Sequence, residues 1–511
     1  MKTTTFLRYL LLLCLLNFTV SSFAAGKSCQ NRVNNTSKKL LECVTLDGVR
    51  AHQAELQIIA DINNGFRLSG TEGFNQSVDY FANELIGAGY DVVVQPFEHI
   101  TFALLNRPVF QQLTPIPLEY SYPNEFQVMS YSASGDVTNT VTPVDLLLGL
   151  GNSSDSGCET DDFVGFPAGD IALIQRGVCS FRVKAENAAA AGASAVIIFN
   201  QGNTEARKGP INGTLSQDYQ GNIPVVSSSY DVGVAIAGTI GTLANINLEV
   251  LVGNITSYNV LAESKGGDET NVVMAGAHLD SVNSGPGIND NGSGSAALLE
   301  TALQMAKVKP RNKVRFAWWG SEESGLLGSQ FYVDQLSAQQ AASISLYLNF
   351  DMIGSPNYGV FIYDGDDSDA VGFPAGPDGS AAIEKLYEQF YSQRGIAFQG
   401  TDFSGRSDYG PFINAGIPAG GLFSGAEGIK SAEQVNLWGG TQGDAFDPCY
   451  HVACDTFDNV SLVALHFNAD AVAYSVLHFA MNTELVNGKK GKGNFKSKKM
   501  MMEYQGSQVQ F

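Results

Sequence analysis

Asn271-Val272-Val273-Met274-Ala275-Gly276-Ala277-His278-Leu279-Asp280-Ser281 is an apolar run that ends in polar, chemistry-bearing side chains. Two later stretches repeat the pattern. Lys313–Trp319 leads into Gly320-Ser321-Glu322-Glu323-Ser324-Gly325, and Ile344–Phe350 leads into Asp351-Met352-Ile353-Gly354. Apolar runs of this length, alternating with helical patterns, read as strands of an α/β sheet. Ligands of open α/β sheets bind beyond the carboxyl ends of the strands, so each polar cluster can face one crevice.

Upstream, Phe74, Val78, Phe81 and Leu85 recur at helical spacing, and Gly87-Ala88-Gly89 stops the helix. Asp91–Val94 then reads as a strand. From 125 to 252 short β-like runs dominate, such as Val144–Leu148, Ile171–Gln175 and Ala195–Asn200, with an alanine-rich helix at Phe181–Ala191. The segment Gly169–Gly177 followed by that helix resembles the protease-associated domain. In that family the domain is a non-catalytic insertion that restricts or guides access to a peptidase site.

The chain has 511 residues and a net charge of −21. That balance excludes a nucleic-acid partner, which needs a basic face to displace counterions. Lys2 and Arg8, the apolar run Leu10–Leu16 and the small residues Ser22, Ala24 and Ala25 read as a cleaved secretory signal over 1–25. No other run of about 18 apolar residues follows, so no stable membrane anchor is expected. The expected location is extracellular or periplasmic. Of seven cysteines, Cys14 leaves with the signal. The rest fall in separate regions as Cys29/Cys43, Cys158/Cys179 and Cys449/Cys454. An oxidising compartment favours disulfides, and local pairing is the expected connectivity among the fifteen that sequence allows. Residues 26–124 hold a polar extension and the first part of the main domain, 253–485 its remainder, and 486–511 a basic tail expected to be disordered.

The polar clusters are weak signals singly and strong together. Asp290 lies twelve residues past His278, inside the glycine-rich stretch Gly285–Gly294. Several carboxylates and a histidine converging at strand ends repel one another and lose hydration, at a cost of several kcal/mol unless a cation sits among them. Histidine with carboxylate suits zinc. Pro448-Cys449-Tyr450-His451-Val452-Ala453-Cys454-Asp455 supplies a further histidine in a tight loop.

The set His278-x-Asp280, Asp290, Glu322-Glu323, Asp351 and His451 resembles the co-catalytic di-zinc aminopeptidases of metallopeptidase family M28, leucine aminopeptidase type, with an inserted protease-associated domain. Gly405–Tyr409 and Gly420–Phe423 also fit that group. The resemblance implies a mixed central sheet with helices on both faces. It implies two zinc ions, one on His278 and Asp351, the other on Glu323 and His451, with Asp290 bridging. Asp280 is expected to orient His278, Glu322 to act as general base, and Tyr450 to stabilise the oxyanion. Arg406, Met352 and Phe423 are expected to contact the substrate, a peptide with a free N-terminus.

A carboxypeptidase or dipeptidase would share the catalytic constellation, but recognition of a substrate carboxylate needs basic side chains in the pocket. Met352 and Phe423 are apolar. Some relatives are non-catalytic receptor ectodomains with a decayed metal site; here all ligand positions and the base are intact. Glycosylation patterns occur at Asn35, Asn75, Asn152, Asn212, Asn254, Asn291 and Asn459, of which Asn291 adjoins Asp290 and is expected to stay unmodified.

Overall fold

A computed structural model describes residue 29 and residues 31–204, 207–371 and 375–488. The signal over 1–25 and the tail from 489 lie outside the described residues. Among the described residues two eight-stranded sheets form. The first runs Asp91–Leu104, Val250–Glu263, Asn312–Trp319, Asp268–His278, Ile344–Phe350, Ala419–Phe423, Phe361–Tyr363, Gln399–Thr401 across its width. Its centre is parallel: Asp268–His278 pairs in parallel with both Asn312–Trp319 and Ile344–Phe350. Ile344–Phe350 also pairs in parallel with Ala419–Phe423, and Phe361–Tyr363 with Gln399–Thr401, whereas Val250–Glu263 is antiparallel to both its neighbours and Phe361–Tyr363 is antiparallel to Ala419–Phe423. The sheet is therefore mixed, and the three runs singled out in the sequence lie side by side, pointing the same way.

These central strands are buried on both faces, as parallel strands covered by helices must be. Val273, Ala275, Ala277, Val314, Phe316, Trp318, Leu346 and Leu348 pack against helices including Leu46–Ile62, Glu72–Ala88, Gly292–Met305 and Leu462–Met481. Val272, Met274, Ala317, Trp319 and Tyr347 face the other way, toward Tyr332, Phe412 and Ile413. Helix Glu72–Ala88 buries Phe74, Val78, Phe81 and Leu85, and Gly89 ends it in the left-handed conformation.

The long strands Asp91–Leu104 and Val250–Glu263 pair along their whole length, from Asp91 with Glu263 to Leu104 with Val250. This ribbon carries the second sheet, whose strands include Gly135–Val144, Ile171–Gln175, Ala195–Phe199 and Val225–Ser228, with the helix Phe181–Ala190. Val109–Thr114 pairs with Leu243–Leu248, so the strands of this sheet begin ahead of residue 125.

The strand expected at Val144–Leu148 is displaced. The strand is Gly135–Val144 and ends there, because Asp145 takes a positive φ of 40°. Leu147 N then donates to Gln175 Oε1 at 2.9 Å rather than to a strand neighbour. The basic tail begins later than residue 486: Glu484–Asn487 is a short helix with Val486 buried. All three expected disulfides are present, Cys29–Cys43, Cys158–Cys179 and Cys449–Cys454. No helix of the described residues is long and apolar enough to cross a membrane.

Candidate active site

Each central parallel strand delivers its functional side chain at its carboxyl end. His278 is the last residue of its strand, Asp351 directly follows Phe350, and Glu322 and Glu323 follow the turn after Trp319. Glu322 N donates to Asp280 Oδ1 at 3.2 Å, which locks that turn to the loop beside it. Asp290 comes from the loop ahead of helix Gly292–Met305, where Asn291 caps the helix by accepting from Gly294 N. Gly287 in this loop has φ +64°, and a Cβ there would stand 2.3 Å from Asp290 O, so the loop requires glycine. His451 enters from the loop closed by Cys449–Cys454.

The two carboxylate oxygens of Asp290 are divided between two histidines. Oδ1 lies 3.1 Å from His278 Nε2, and Oδ2 lies 3.0 Å from His451 Nε2. Asp351 Oδ1 stands 3.3 Å from His278 Nε2, and Glu323 Oε2 stands 3.1 Å from His451 Nε2. The cluster thus resolves into two neighbouring groups, His278 with Asp351 and His451 with Glu323, sharing Asp290. Glu322 is further back, its Oε2 4.0 Å from His278 Nε2. The nearer partner of His278 Nδ1 is the Asp280 main-chain oxygen at 3.1 Å; the Asp280 carboxylate is at 3.6 Å.

Burial by itself would depress the pKa of both histidines. For His278 that effect is outweighed by Asp351, Glu322, Asp280 and Asp290, which hold it well above the ordinary value. For His451, Glu323 and Asp290 outweigh burial and raise it to about 10. Burial is the main cause that pushes Glu322 well up, with Glu323, Asp351 and Asp408 adding to it. Burial would also raise Asp290, but the two histidines prevail and hold it below the carboxylate range. The site therefore calls for positive charge. Asp280 Oδ2, Asp351 Oδ1 and His451 Nδ1 are buried without a hydrogen bond. Donor atoms of His278, Asp290 and Glu323 lie within 4.8 Å of one another, so these residues could hold a metal ion. Histidine nitrogen with carboxylate oxygen is a donor set that fits zinc.

Beside the cluster opens a pocket lined by Met352, Tyr363, Asp402, Arg406, Tyr409, Phe423 and Tyr450, among others. Tyr450 stacks on His451 with ring centroids 3.8 Å apart. Its hydroxyl oxygen accepts from Arg406 Nη2 at 3.2 Å, while Arg406 Nη1 holds Glu427 Oε1 at 2.7 Å. Burial first, then Asp290 and Glu323, keep the Tyr450 hydroxyl protonated far above neutrality.

Several positioning residues escape sequence reading because their partners are distant in the chain. Arg67 is fully buried. It donates through Nε to Pro286 O at 2.9 Å, through Nη2 to Gly287 O at 2.8 Å, and through Nη1 to Leu279 O. It thereby clamps the loops carrying His278 and Asp290. Burial lowers its pKa to about 10, with Asp280, Asp455 and Asp290 opposing, so it remains cationic at neutral pH. Asp455 accepts from Asn289 N at 2.8 Å and Asp290 N at 3.0 Å, tying Asp290 to the loop that bears His451. Ser407 Oγ donates to Asp351 Oδ2 at 2.6 Å. Asn291 Nδ2 donates to Phe350 O at 2.8 Å, and Asn459 Nδ2 to Asp447 Oδ1 at 3.0 Å. Asn291 is buried, which leaves its nitrogen no room for a glycan.

Arg67→Lys should keep the charge but lose the fork that spans three carbonyls. The expected result is lower zinc occupancy and a kcat fall of about 10²-fold, the scale of a misplacement of about 1 Å. Metal analysis with steady-state kinetics reads it, and unchanged values for both would remove the clamp. For the Cys449/Cys454 pair, double replacement by Ser should lower zinc affinity and kcat more than melting temperature. So short a loop gains little from cross-linking, whereas its geometry sets Tyr450 and His451. Unchanged kcat with a much lower melting temperature would make the bridge a staple only.

Residues 259–476 match the model of Peptidase family M28, and residues 137–236 match the PA domain. An aminopeptidase of Pseudomonas aeruginosa is 48% identical over 93% of this chain and 89% of its own length. Leucine aminopeptidase 2 of Trichophyton equinum is 40% identical over 87% of this chain and 86% of its own. Among solved structures, a zinc aminopeptidase from Bacillus subtilis superposes with a TM-score of 0.55 at 26% identity, covering 85% of this chain and 95% of that one. With the strand-end cluster in place and kinship running over nearly the whole length, the chain belongs to peptidase family M28, in which it is an aminopeptidase carrying a PA domain.

Proposed function

We propose that the protein is a secreted, zinc-dependent aminopeptidase that uses two zinc ions and removes N-terminal residues, bulky apolar ones such as leucine preferred, from peptides. The observation that carries this reading is the divided carboxylate of Asp290, 3.1 Å from His278 on one side and 3.0 Å from His451 on the other. His278 and Asp351 would hold one ion, Glu323 and His451 the second, and Asp290 both. Bound there, zinc supplies Lewis acidity that polarises the scissile carbonyl and acidifies water.

The chain's own residues supply the proton handling. Glu322 accepts the water proton and returns it to the leaving amine. Burial pushes its pKa up, which makes it a stronger base than an exposed carboxylate. Arg406 occupies the oxygen of Tyr450 as a donor, which leaves the tyrosine proton free to meet the developing oxyanion. Met352 and Phe423 form apolar wall for the leucine-like side chain. The free substrate amine pairs with carboxylates beside the metals, such as Glu322 and Asp351. The three disulfides support an oxidising, extracytoplasmic location. The PA insert, over about 125–252, would guide substrates to the pocket.

The test is hydrolysis of leucyl and N-acetyl-leucyl anilides side by side. Turnover of the free-amine substrate only is expected, with discrimination among apolar residues graded at about 1–3 kcal/mol per methylene. Equal turnover of both substrates would remove the aminopeptidase mechanism in favour of an endopeptidase.

A further inference from the structure

The three disulfides differ in what surrounds their sulfurs. Cys29 and Cys43 are buried, at 9% and 0% exposure, so a thiol from solvent is kept from them even though Arg32 Nη2 donates to Cys43 Sγ at 3.1 Å. Cys449–Cys454 is exposed at Cys454, but a carboxylate adjoins it: Asp447 Oδ1 accepts from Cys449 N at 2.8 Å. Cys158 and Cys179, in the PA insert, are both half-buried, and Cys179 stands between the exposed Val178 and Ser180. Behind this bridge lies Lys184, a fully buried lysine on the helix Phe181–Ala190. Its ammonium donates to Ser156 O and to Cys158 Sγ, the latter at 3.5 Å. Burial lowers its pKa to about 8, with Asp162 and Asp155 opposing, so most of it is cationic at neutral pH. A buried ammonium is costly unless it meets acceptors, and here one acceptor is a sulfur that can itself become an anion.

We infer that Cys158–Cys179 is a reversible thiol-exchange site of the PA insert, at which a low-molecular-weight thiol attacks Cys179 and Cys158 leaves beside Lys184. The attacking thiol gives its proton to solvent, and its sulfur bonds to Cys179 Sγ. The Cys158–Cys179 bond breaks, and its electron pair stays on Cys158 Sγ as a thiolate. A second thiol equivalent then releases Cys179, leaving two reduced cysteines and the attacking thiol oxidised to its dimer. Exchange is faster the lower the pKa of the leaving thiol, and a neighbouring lysine lowers it. Cys179 precedes the helix Phe181–Ala190, whose N-terminus also favours an anion, with about half a charge. Lys184 brings a whole charge into contact with Cys158, so Cys158 is the sulfur that leaves. The two sides stay anchored without the bridge. Asn187 Nδ2 donates to Gly157 O at 3.1 Å and to Cys158 O at 2.9 Å, and Val178 N donates to Ser154 O at 3.1 Å. The sulfurs therefore remain neighbours, and oxidation closes the bond again.

The experiment incubates the zinc-loaded enzyme with reduced glutathione, quenches samples with acid over time, and maps thiols and adducts by peptide mass spectrometry. The expected product carries glutathione on Cys179 and a free thiol on Cys158, while Cys29–Cys43 stays closed. Lys184→Met keeps the volume and removes the charge, so the opening of Cys158–Cys179 should slow about tenfold, with that of Cys449–Cys454 unchanged as the internal reference. Should the variant not fold, the position of the adduct in the unmodified enzyme still decides. An adduct on Cys158 rather than Cys179, a Cys158–Cys179 bridge that never opens, or an unchanged opening rate in folded Lys184→Met overturns the site.

Discussion

Glu322→Gln is expected to retain bound zinc and lose about 10²–10⁴-fold in kcat. Glu322 is buried, and its main-chain nitrogen is held by Asp280, a bond that the substitution leaves in place. Glutamine is nearly isosteric and cannot take the proton. The larger loss should fall on kcat, because proton transfer belongs to the transition state, while the lost pairing with the substrate amine adds a smaller rise in KM. Stability should not suffer: the change removes one of several mutually repelling carboxylates, including Glu323, Asp351 and Asp408. Glu323→Gln should do the reverse and weaken metal binding, since Glu323 stands against His451 at 3.1 Å. Metal content and kcat on a leucyl substrate separate the two variants. Zinc lost from Glu322→Gln with the rate per bound metal preserved would mean that the neighbours have exchanged roles.

Asp290→Ala is expected to be the most damaging single ligand change. Asp290 faces both histidine-centred groups, whereas Asp351 faces His278 and Glu323 faces His451. Loss of a residue that only supports a ligand costs about 10–100-fold in affinity or activity, so loss of a shared ligand should exceed about 10²-fold in metal affinity. The main-chain bond from Asp290 to Asp455 does not depend on the side chain, so the loop should keep its path. Calorimetric zinc titration compares Asp290→Ala with Asp351→Ala and Glu323→Ala. Equal losses across the three would argue against a shared carboxylate.

The cluster was readable in the chain because strand ends announce it. His278, Glu322, Glu323 and Asp351 each follow an apolar run, and those runs are adjacent parallel strands. His451 was readable from its flanking cysteines. Arg67 was not, because an arginine between Phe66 and Leu68 carries no local sign of its partners at Leu279, Pro286 and Gly287. Asp455 adjoins Cys454 in sequence, yet its hold on Asp290 exists only after the loops meet. The end of strand Gly135–Val144 was obscured by Leu146-Leu147-Leu148. Hydrophobicity continues there, but Leu147 and Leu148 are exposed and the ladder has stopped. The start of the second sheet was hidden because the continuous ribbon Asp91–Leu104 leads into it without a compositional break.

Zinc dependence is tested most directly by measuring metal content and leucyl-anilide turnover together while zinc is stripped by chelator and added back. Activity should vanish with the metal, return with zinc, and reach its plateau near two ions per chain. Full activity in metal-free protein would contradict the assignment of His278, Asp290, Glu323, Asp351 and His451 as the ligands on which catalysis depends.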